Sequence, residues 1–241
     1  IFLGESNNSA FPGSVYIYAD NEKPGTWIET GRLTSDEGFP GDRFGSSMAT
    51  IGNTLFVGKR GRAEGTGAVI AYAKTADGAW NTVALISAND GIPDDAFGSE
   101  IAAEGDVLAI AAPGRDKKGG VYIFRRQDDG AWQQEAVVQA DDAGEGDRFG
   151  SALALSDNTL LVGAPMHNDA KGSAYLFANK EGNWQQQSKL EIQNADRRSM
   201  VGQAVALGHN TAYVGAPRVN NRAGAVYVFN TDPNAANNRS R

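Results

Sequence analysis

The chain has 241 residues, 41% of them apolar, a formal net charge of −7 and no cysteine. That apolar content can bury the core of a single domain, while the acidic balance excludes general nucleic-acid binding, which needs a basic face. Without cysteine there are no disulfides and no thiolate chemistry, a composition ordinary for a bacterial chain, and no apolar run approaches the roughly 20 residues of a membrane-spanning helix.

From the start, Ile1-Phe2-Leu3-Gly4 is a short apolar strand, Gly13-Ser14-Val15-Tyr16 opens a second, and Trp27 to Leu33 forms a third. From Phe44 onwards the elements recur. Phe-Gly pairs stand at Phe44-Gly45, Phe97-Gly98 and Phe149-Gly150, with Val201-Gly202 in the fourth place, at offsets of 53, 52 and 52. Gly58-Lys59-Arg60, Ala111-Ala112-Pro113, Gly163-Ala164-Pro165 and Gly215-Ala216-Pro217 form a second series. Gly67-Ala68-Val69-Ile70, Gly120-Val121-Tyr122, Gly172-Ser173-Ala174-Tyr175 and Gly224-Ala225-Val226-Tyr227 form a third, and Trp27, Trp80, Trp132 and Trp184 a fourth. A shared period of this size denotes stacked supersecondary units.

The unit that begins at Phe149 is the clearest. Ser151 to Leu155 and Thr159 to Gly163 are apolar runs joined by Asp157-Asn158, a pair suited to a tight hairpin turn because both residues tolerate positive φ. Gly52-Asn53, Gly105-Asp106 and His209-Asn210 take the same place elsewhere. A polar loop follows Pro165, then a strand from Ser173 to Phe177, a turn at Glu181-Gly182-Asn183 and a last strand from Trp184 to Leu190. No run has helical length and period.

Four short antiparallel strands per unit predict an all-β chain, a β-propeller of four-stranded antiparallel blades. The small residues of Gly-Ala-Pro are expected where strands crowd together, and the Phe and Trp rings between neighbouring blades. The chain opens in the second strand of a blade and closes, at Ala225 to Phe229, in a third strand. Its strands fit about five blades, two of them incomplete, or a segment of a larger propeller. The missing initiator Met and the mid-blade start predict a processed or partial chain, with no leader peptide visible. Residues 1–229 form the propeller, and the Asn-rich run 230–241 a flexible tail or linker.

The Phe-Gly and Gly-Ala-Pro landmarks resemble the FG-GAP repeats of the integrin α-chain head and, in their short first hairpins, bacterial FG-GAP repeat proteins. The resemblance covers Ile1 to Phe229. It implies a propeller with an extracellular or cell-surface role in adhesion or recognition. Many members of that family carry a calcium loop of the form Asp-x-Asp-x-Asp-Gly in the first hairpin. The two-residue turns of this chain cannot supply the roughly six to eight oxygens that calcium takes, so those sites are not expected at these positions.

Successive connections of an antiparallel blade alternate between its two faces. The loops joining strands 2 and 3 therefore share a face with those joining strand 4 to the next strand 1, and these long loops are where binding residues concentrate. The 4–1 loops are acidic, with Asp36, Glu37 and Asp42, then Asp90, Asp94 and Asp95, then Asp141, Asp142, Glu145 and Asp147, then Asp196. The 2–3 loops lean basic. Besides Lys59 they carry Arg60, Arg62, Arg115, Lys117, Lys118, His167, Lys171, Arg218 and Arg222 as candidate ligand-binding residues. Opposite charges on one rim also form solvated ion pairs, each contributing about 0–1 kcal/mol. Asp42, Asp95 and Asp147 are expected to hold backbone N–H groups of their own turns. Asp141, Asp142, Glu145 and Asp147 lie within seven residues that also hold two glycines, and form the candidate calcium loop.

Catalysis has little support. His167 and His209 fall on opposite faces by strand parity, and neither a nucleophile motif nor a phosphate-cradling loop stands out. Apart from that calcium no cofactor is expected. The leading reading is a non-enzymatic extracellular or cell-surface module for recognition or adhesion, binding a protein or surface partner through the 2–3 and 4–1 loop face. A carbohydrate-binding propeller and a structural module of a surface assembly or large adhesin are the alternatives. Other blades or domains of a longer chain are further partners to expect.

Overall fold

The computed structural model describes residues 1–6, 10–21, 23–35, 38–193 and 195–232. Asp36 and Glu37 of the first acidic loop, and residues 233–241 of the expected tail, lie outside the described residues. The chain forms two compact units, Ile1–Ile101 and Ala102–Arg241.

Among the described residues, eighteen strands build five antiparallel sheets that follow one another along the chain. The first holds β1 (Phe2–Glu5), β2 (Ser14–Asp20) and β3 (Trp27–Thr34), and the second β4 (Phe44–Ile51), β5 (Thr54–Lys59), β6 (Val69–Lys74) and β7 (Trp80–Ile86). The third holds β8 (Ile101–Glu104), β9 (Val107–Ala112), β10 (Gly120–Arg126) and β11 (Trp132–Val138). The fourth holds β12 (Ala152–Ser156), β13 (Thr159–Ala164), β14 (Ser173–Lys180) and β15 (Asn183–Leu190), and the fifth β16 (Ala204–Gly208), β17 (Thr211–Ala216) and β18 (Ala225–Asn230).

The local chemistry of the sequence accounts for these elements. Ser156 faces Thr159 across Asp157-Asn158, and both turn residues have positive φ, 47° and 62°, as a two-residue hairpin requires. Four sheets slip register at the same point of their last strand pair, between Ile17 and Tyr18, Ala71 and Tyr72, Ile123 and Phe124, and Leu176 and Phe177. An extra residue there bends the outer strand and increases its twist. Each connection after Gly-Ala-Pro holds a single helical turn, as at α1 (Arg62–Gly65), α2 (His167–Ala170) and α3 (Val219–Arg222). Its inner residues take positive φ, for instance Asn168 at 50°, Asp169 at 60° and Asn220 at 53°. Asn and Asp are the non-glycine residues that adopt this conformation most readily.

Within each unit, consecutive sheets meet through one recurring junction. In the first unit Gly13 pairs in parallel with Phe44 and Gly67 with Phe97; in the second Gly119 pairs with Phe149 and Gly172 with Val201. The Phe44 N–H donates to the Pro12 carbonyl at 2.7 Å, Phe97 to Thr66 at 3.0 Å, Phe149 to Lys118 at 3.0 Å and Val201 to Lys171 at 2.9 Å. Phe44, Phe97, Phe149 and Val201 are wholly buried, and burying a Phe contributes about 1.5–3 kcal/mol. The Phe149 ring meets Tyr175 and Phe177 edge-on, with centroids 5.7 and 5.8 Å away.

The glycine of Gly-Ala-Pro serves the same junction. A Cβ on Gly58 would lie 2.2 Å from the Gly98 carbonyl oxygen, and one on Gly163 would lie 1.9 Å from that of Gly202. Two backbones therefore touch at Gly58 and Gly163, leaving no room for a Cβ at either. In the third sheet Ala111 takes this place, and its Cβ lies beside Gly150.

The tryptophans depart from expectation. Trp184 is buried at 8% exposure, whereas Trp27 is 50% exposed and Trp80 and Trp132 are half-buried. The physical reason is position: each lies on the outermost strand of its sheet, where the ring is covered only if a neighbour reaches over it. The core of the first unit joins Val15, Leu33, Phe44, Leu55, Val57 and Tyr72. The second unit has one cluster around Phe149 and Tyr175 and another around Leu176, Val201 and Val214. Among the described residues no helix is long and apolar enough to cross a membrane.

Candidate functional site

The Asp that precedes each Phe-Gly pair is buried and holds its own turn. Asp42 Oδ2 accepts the Phe39 N–H at 2.7 Å, Asp95 Oδ2 accepts that of Ile92 at 3.0 Å, and Asp147 Oδ2 accepts that of Gly144 at 2.7 Å. In the fourth copy Ser199 stands there, and its buried hydroxyl has no hydrogen-bond partner among the described residues.

Two of these carboxylates also have a buried cationic or imidazole partner. In the first unit Lys59 Nζ lies 2.9 Å from Asp42 Oδ2, with side chains only 3% and 4% exposed, and it also donates to Ser35 Oγ at 2.8 Å. The departure of Gly58-Lys59-Arg60 from Gly-Ala-Pro thus has a structural cause, since the lysine reaches a carboxylate that an alanine would leave without its cation.

In the second unit Asp147 belongs to a larger network. Lys189 Nζ donates to His167 Nε2 at 3.0 Å. An ammonium only donates, so Nε2 is the acceptor and His167 Nδ1–H donates to Asp147 Oδ2 at 2.7 Å. Lys189 also donates to Asp142 Oδ2 at 2.8 Å and pairs with Glu191. The Tyr175 hydroxyl donates to Asp142 Oδ1 at 2.9 Å, and its ring meets His167 edge-on.

The charges respond to these contacts. Burial first, and then the hydrogen bond to Asp142, push the Tyr175 hydroxyl far above its ordinary range. At Asp142 burial acts upward, but the bonds from Lys189 and Tyr175 outweigh it and the carboxyl titrates below its usual value. A depressed acid stabilises the fold above its unfolded value of about 4, and that contribution is lost as the pH falls through the folded value. The D142N variant should accordingly lose less stability than the wild type between about pH 6 and about pH 2. Denaturant midpoints measured across that range check this, and parallel profiles would refute it.

The candidate ligand-binding residues do not behave alike. Lys117, Arg218 and Arg222 are exposed, whereas Arg60, Arg62, Arg115, Lys118, His167 and Lys171 are half-buried. The Arg115 guanidinium lies 5.0 Å from the centre of the Tyr122 ring and donates to its hydroxyl. Lys118 and Lys171 give their carbonyls to the junction. Of the candidate calcium ligands, Asp142 and Asp147 are engaged as described, while Asp141 and Glu145 are exposed. Among the described residues no three His, Asp or Glu side chains are grouped as a metal site requires. Tyr175 was visible as a landmark, but Lys189 and Glu191 were not singled out by sequence reading. Their signal, two charges at the end of the fourth strand, is indistinguishable from a solvated edge.

The FG-GAP repeat pattern matches residues 27–72, 80–124, 132–177 and 184–229. Bos taurus integrin alpha-2 is 33% identical over 144 residues, which is 51% of this chain and 12% of that protein. Mus musculus integrin alpha-3 is 28% identical over 145 residues, 52% of this chain and 13% of that protein. The matched stretch therefore covers only about an eighth of the length of these relatives. A crystal structure of a protein from Lactobacillus plantarum aligns with a TM-score of 0.65 at 15% identity, over 98% of this chain and 65% of that one, and shares its fold. With four matched repeats over most of its length, the chain belongs to the FG-GAP repeat family.

Proposed function

We propose that the five sheets are blades of a β-propeller and that the chain is a non-catalytic recognition or adhesion module, acting at a cell surface or outside the cell. Its partner is a protein, held by the loops that follow β9, β13 and β17 in the second unit. The observation that carries this reading is the way those loops are fixed. The Gly146 N–H donates to the Lys117 carbonyl at 2.7 Å, and Met200 N–H to that of Ala170 at 3.0 Å. The loops after β9 and β13 are thus clamped to the segments that lead into the next sheet, and the loop after β17 is tied back by the Arg218 N–H, which donates to the Ser199 carbonyl at 3.3 Å, while Lys117, Arg218 and Arg222 are exposed. A clamped loop with exposed cations loses little conformational freedom on binding. Membership of the FG-GAP repeat family and the similarity of this chain to integrin alpha chains support the same role.

The test is a binding screen of the full chain against purified matrix and cell-surface proteins, repeated with K117E/R218E/R222E. A specific partner whose affinity falls at least about tenfold in the triple variant is the expected result, because rim charges act through long-range attraction. A partner unaffected by the reversal would move the site off these loops, and the absence of any partner would count against the module's role.

A further inference from the structure

One repeat breaks the pattern at a place that the junctions do not explain. The residue after Phe124 is Arg125, whereas the same register holds Ala19, Ala73 and Ala178 in the first, second and fourth sheets. Arg125 Nε donates to Glu135 Oε2 at 2.6 Å, Nη2 to Glu135 Oε1 at 3.4 Å, and Nη1 to Asp106 Oδ2 at 2.9 Å. Asp106 stands where the other hairpin turns carry Asn53, Asn158 and Asn210. Glu135 stands where the other last strands carry Thr30, Val83 and Gln187. The triad therefore occurs once, in a position the fold fills with alanine three times. Folding does not demand it.

Arg125 and Glu135 form one side of an open groove of about 680 Å³ between the third and fourth sheets, within the second unit. Its remaining lining is mostly amide: Gln127, Gln133, Gln134, Asn158 and Asn179. Asn158 belongs to a first-hairpin turn and Glu181 to a last-hairpin turn, so the groove opens on the side of the short turns, away from the clamped loops. Across the strand pair from Asn179, Trp184 keeps a buried indole N–H with no hydrogen-bond partner among the described residues.

The chemistry of this lining selects a ligand class. A side-chain amide presents a donor and an acceptor side by side, which matches a pair of neighbouring hydroxyls. Three of the five guanidinium N–H groups of Arg125 are engaged by the two carboxylates, leaving two for a ligand in a fixed orientation. Glu135 and Glu181 outnumber the single cation, so phosphates, sulfates and uronates are repelled. We propose that this groove binds neutral carbohydrate, with Arg125 as the donor fixed by Asp106 and Glu135. The site is separate from the protein-binding loops, and its existence does not depend on them.

The experiment is an NMR titration of the full chain with maltohexaose, cellohexaose, mannohexaose and chitohexaose up to a few millimolar, with an oligogalacturonate as the acidic control. At least one neutral hexasaccharide should bind saturably and shift the side-chain amide signals of Gln133 and Asn158. Arg125→Ala installs the residue found in three other sheets, so the variant should fold as the wild type does. It should weaken binding at least about tenfold, the loss expected when a charge-assisted hydrogen bond is removed, and Gln133→Ala should weaken it several-fold. Three results would overturn the proposal: no neutral hexasaccharide binds, the acidic control binds more tightly, or Arg125→Ala leaves the affinity unchanged.

Discussion

Replacing Gly163 by alanine is expected to destabilise the chain by about 3 kcal/mol. Two effects oppose one another at this position. Gly→Ala at a compatible backbone conformation stabilises by about 0.4–1 kcal/mol, through the smaller entropy of the unfolded chain. Against that, the new Cβ would sit 1.9 Å from the Gly202 carbonyl oxygen, a backbone atom with no rotamer to escape into. The sheet carrying Val201 must move away from a junction in which that side chain is wholly buried, so the contact decides the sign. Ala111 is the internal control, because it already carries a Cβ at the same register beside Gly150. Ala111→Gly should change stability by no more than about 1 kcal/mol. Urea denaturation of both variants separates a junction effect from a propensity effect, and equal losses would mean that the close approach is not what makes Gly163 necessary.

Lys59→Ala should cost about 3–5 kcal/mol, although it moves the sequence towards the Gly-Ala-Pro landmark of its own repeats. The lysine and Asp42 are both almost wholly buried and 2.9 Å apart. Removing the ammonium leaves a carboxylate without its cation where water cannot replace it, and the Ser35 hydroxyl loses its donor as well. A double variant, Lys59→Met with Asp42→Asn, removes both charges while keeping an acceptor for the Phe39 N–H, and should recover most of the loss. If the single variant is as stable as the wild type, the pair contributes nothing beyond its own desolvation cost.

Much of the fold was legible because its determinants are local and repeated. The period fixed the sheets, the Asp-Asn and Gly-Asn pairs located the hairpins, and the buried Phe of each Phe-Gly pair followed from its recurrence. The role of Asp42, Asp95 and Asp147 was legible for the same reason, since an Asp holding an N–H three residues back needs no knowledge of the rest of the chain. The misplaced expectations concern burial set by partners distant in sequence. Trp27 and Trp184 share a register, yet only the second is covered. Arg115 and His167 were grouped with exposed cations by loop type, but a guanidinium or imidazole beside an aromatic ring is drawn onto it. Tyr122 and Tyr175 provide those rings. Arg125 was findable in principle, because aligning the repeats sets it against three alanines, although nothing in its own segment marks it.

The recurring junction has a consequence for how such chains change over generations. Its partners on either side are main-chain carbonyls, N–H groups and glycines, with a single buried apolar side chain per copy, so any repeat presents what the next requires. An in-frame duplication or deletion of one full period leaves every surviving contact matched. Copy number is therefore free to vary among descendants while the loop residues diverge independently, and relatives should differ in length by whole units rather than by single strands.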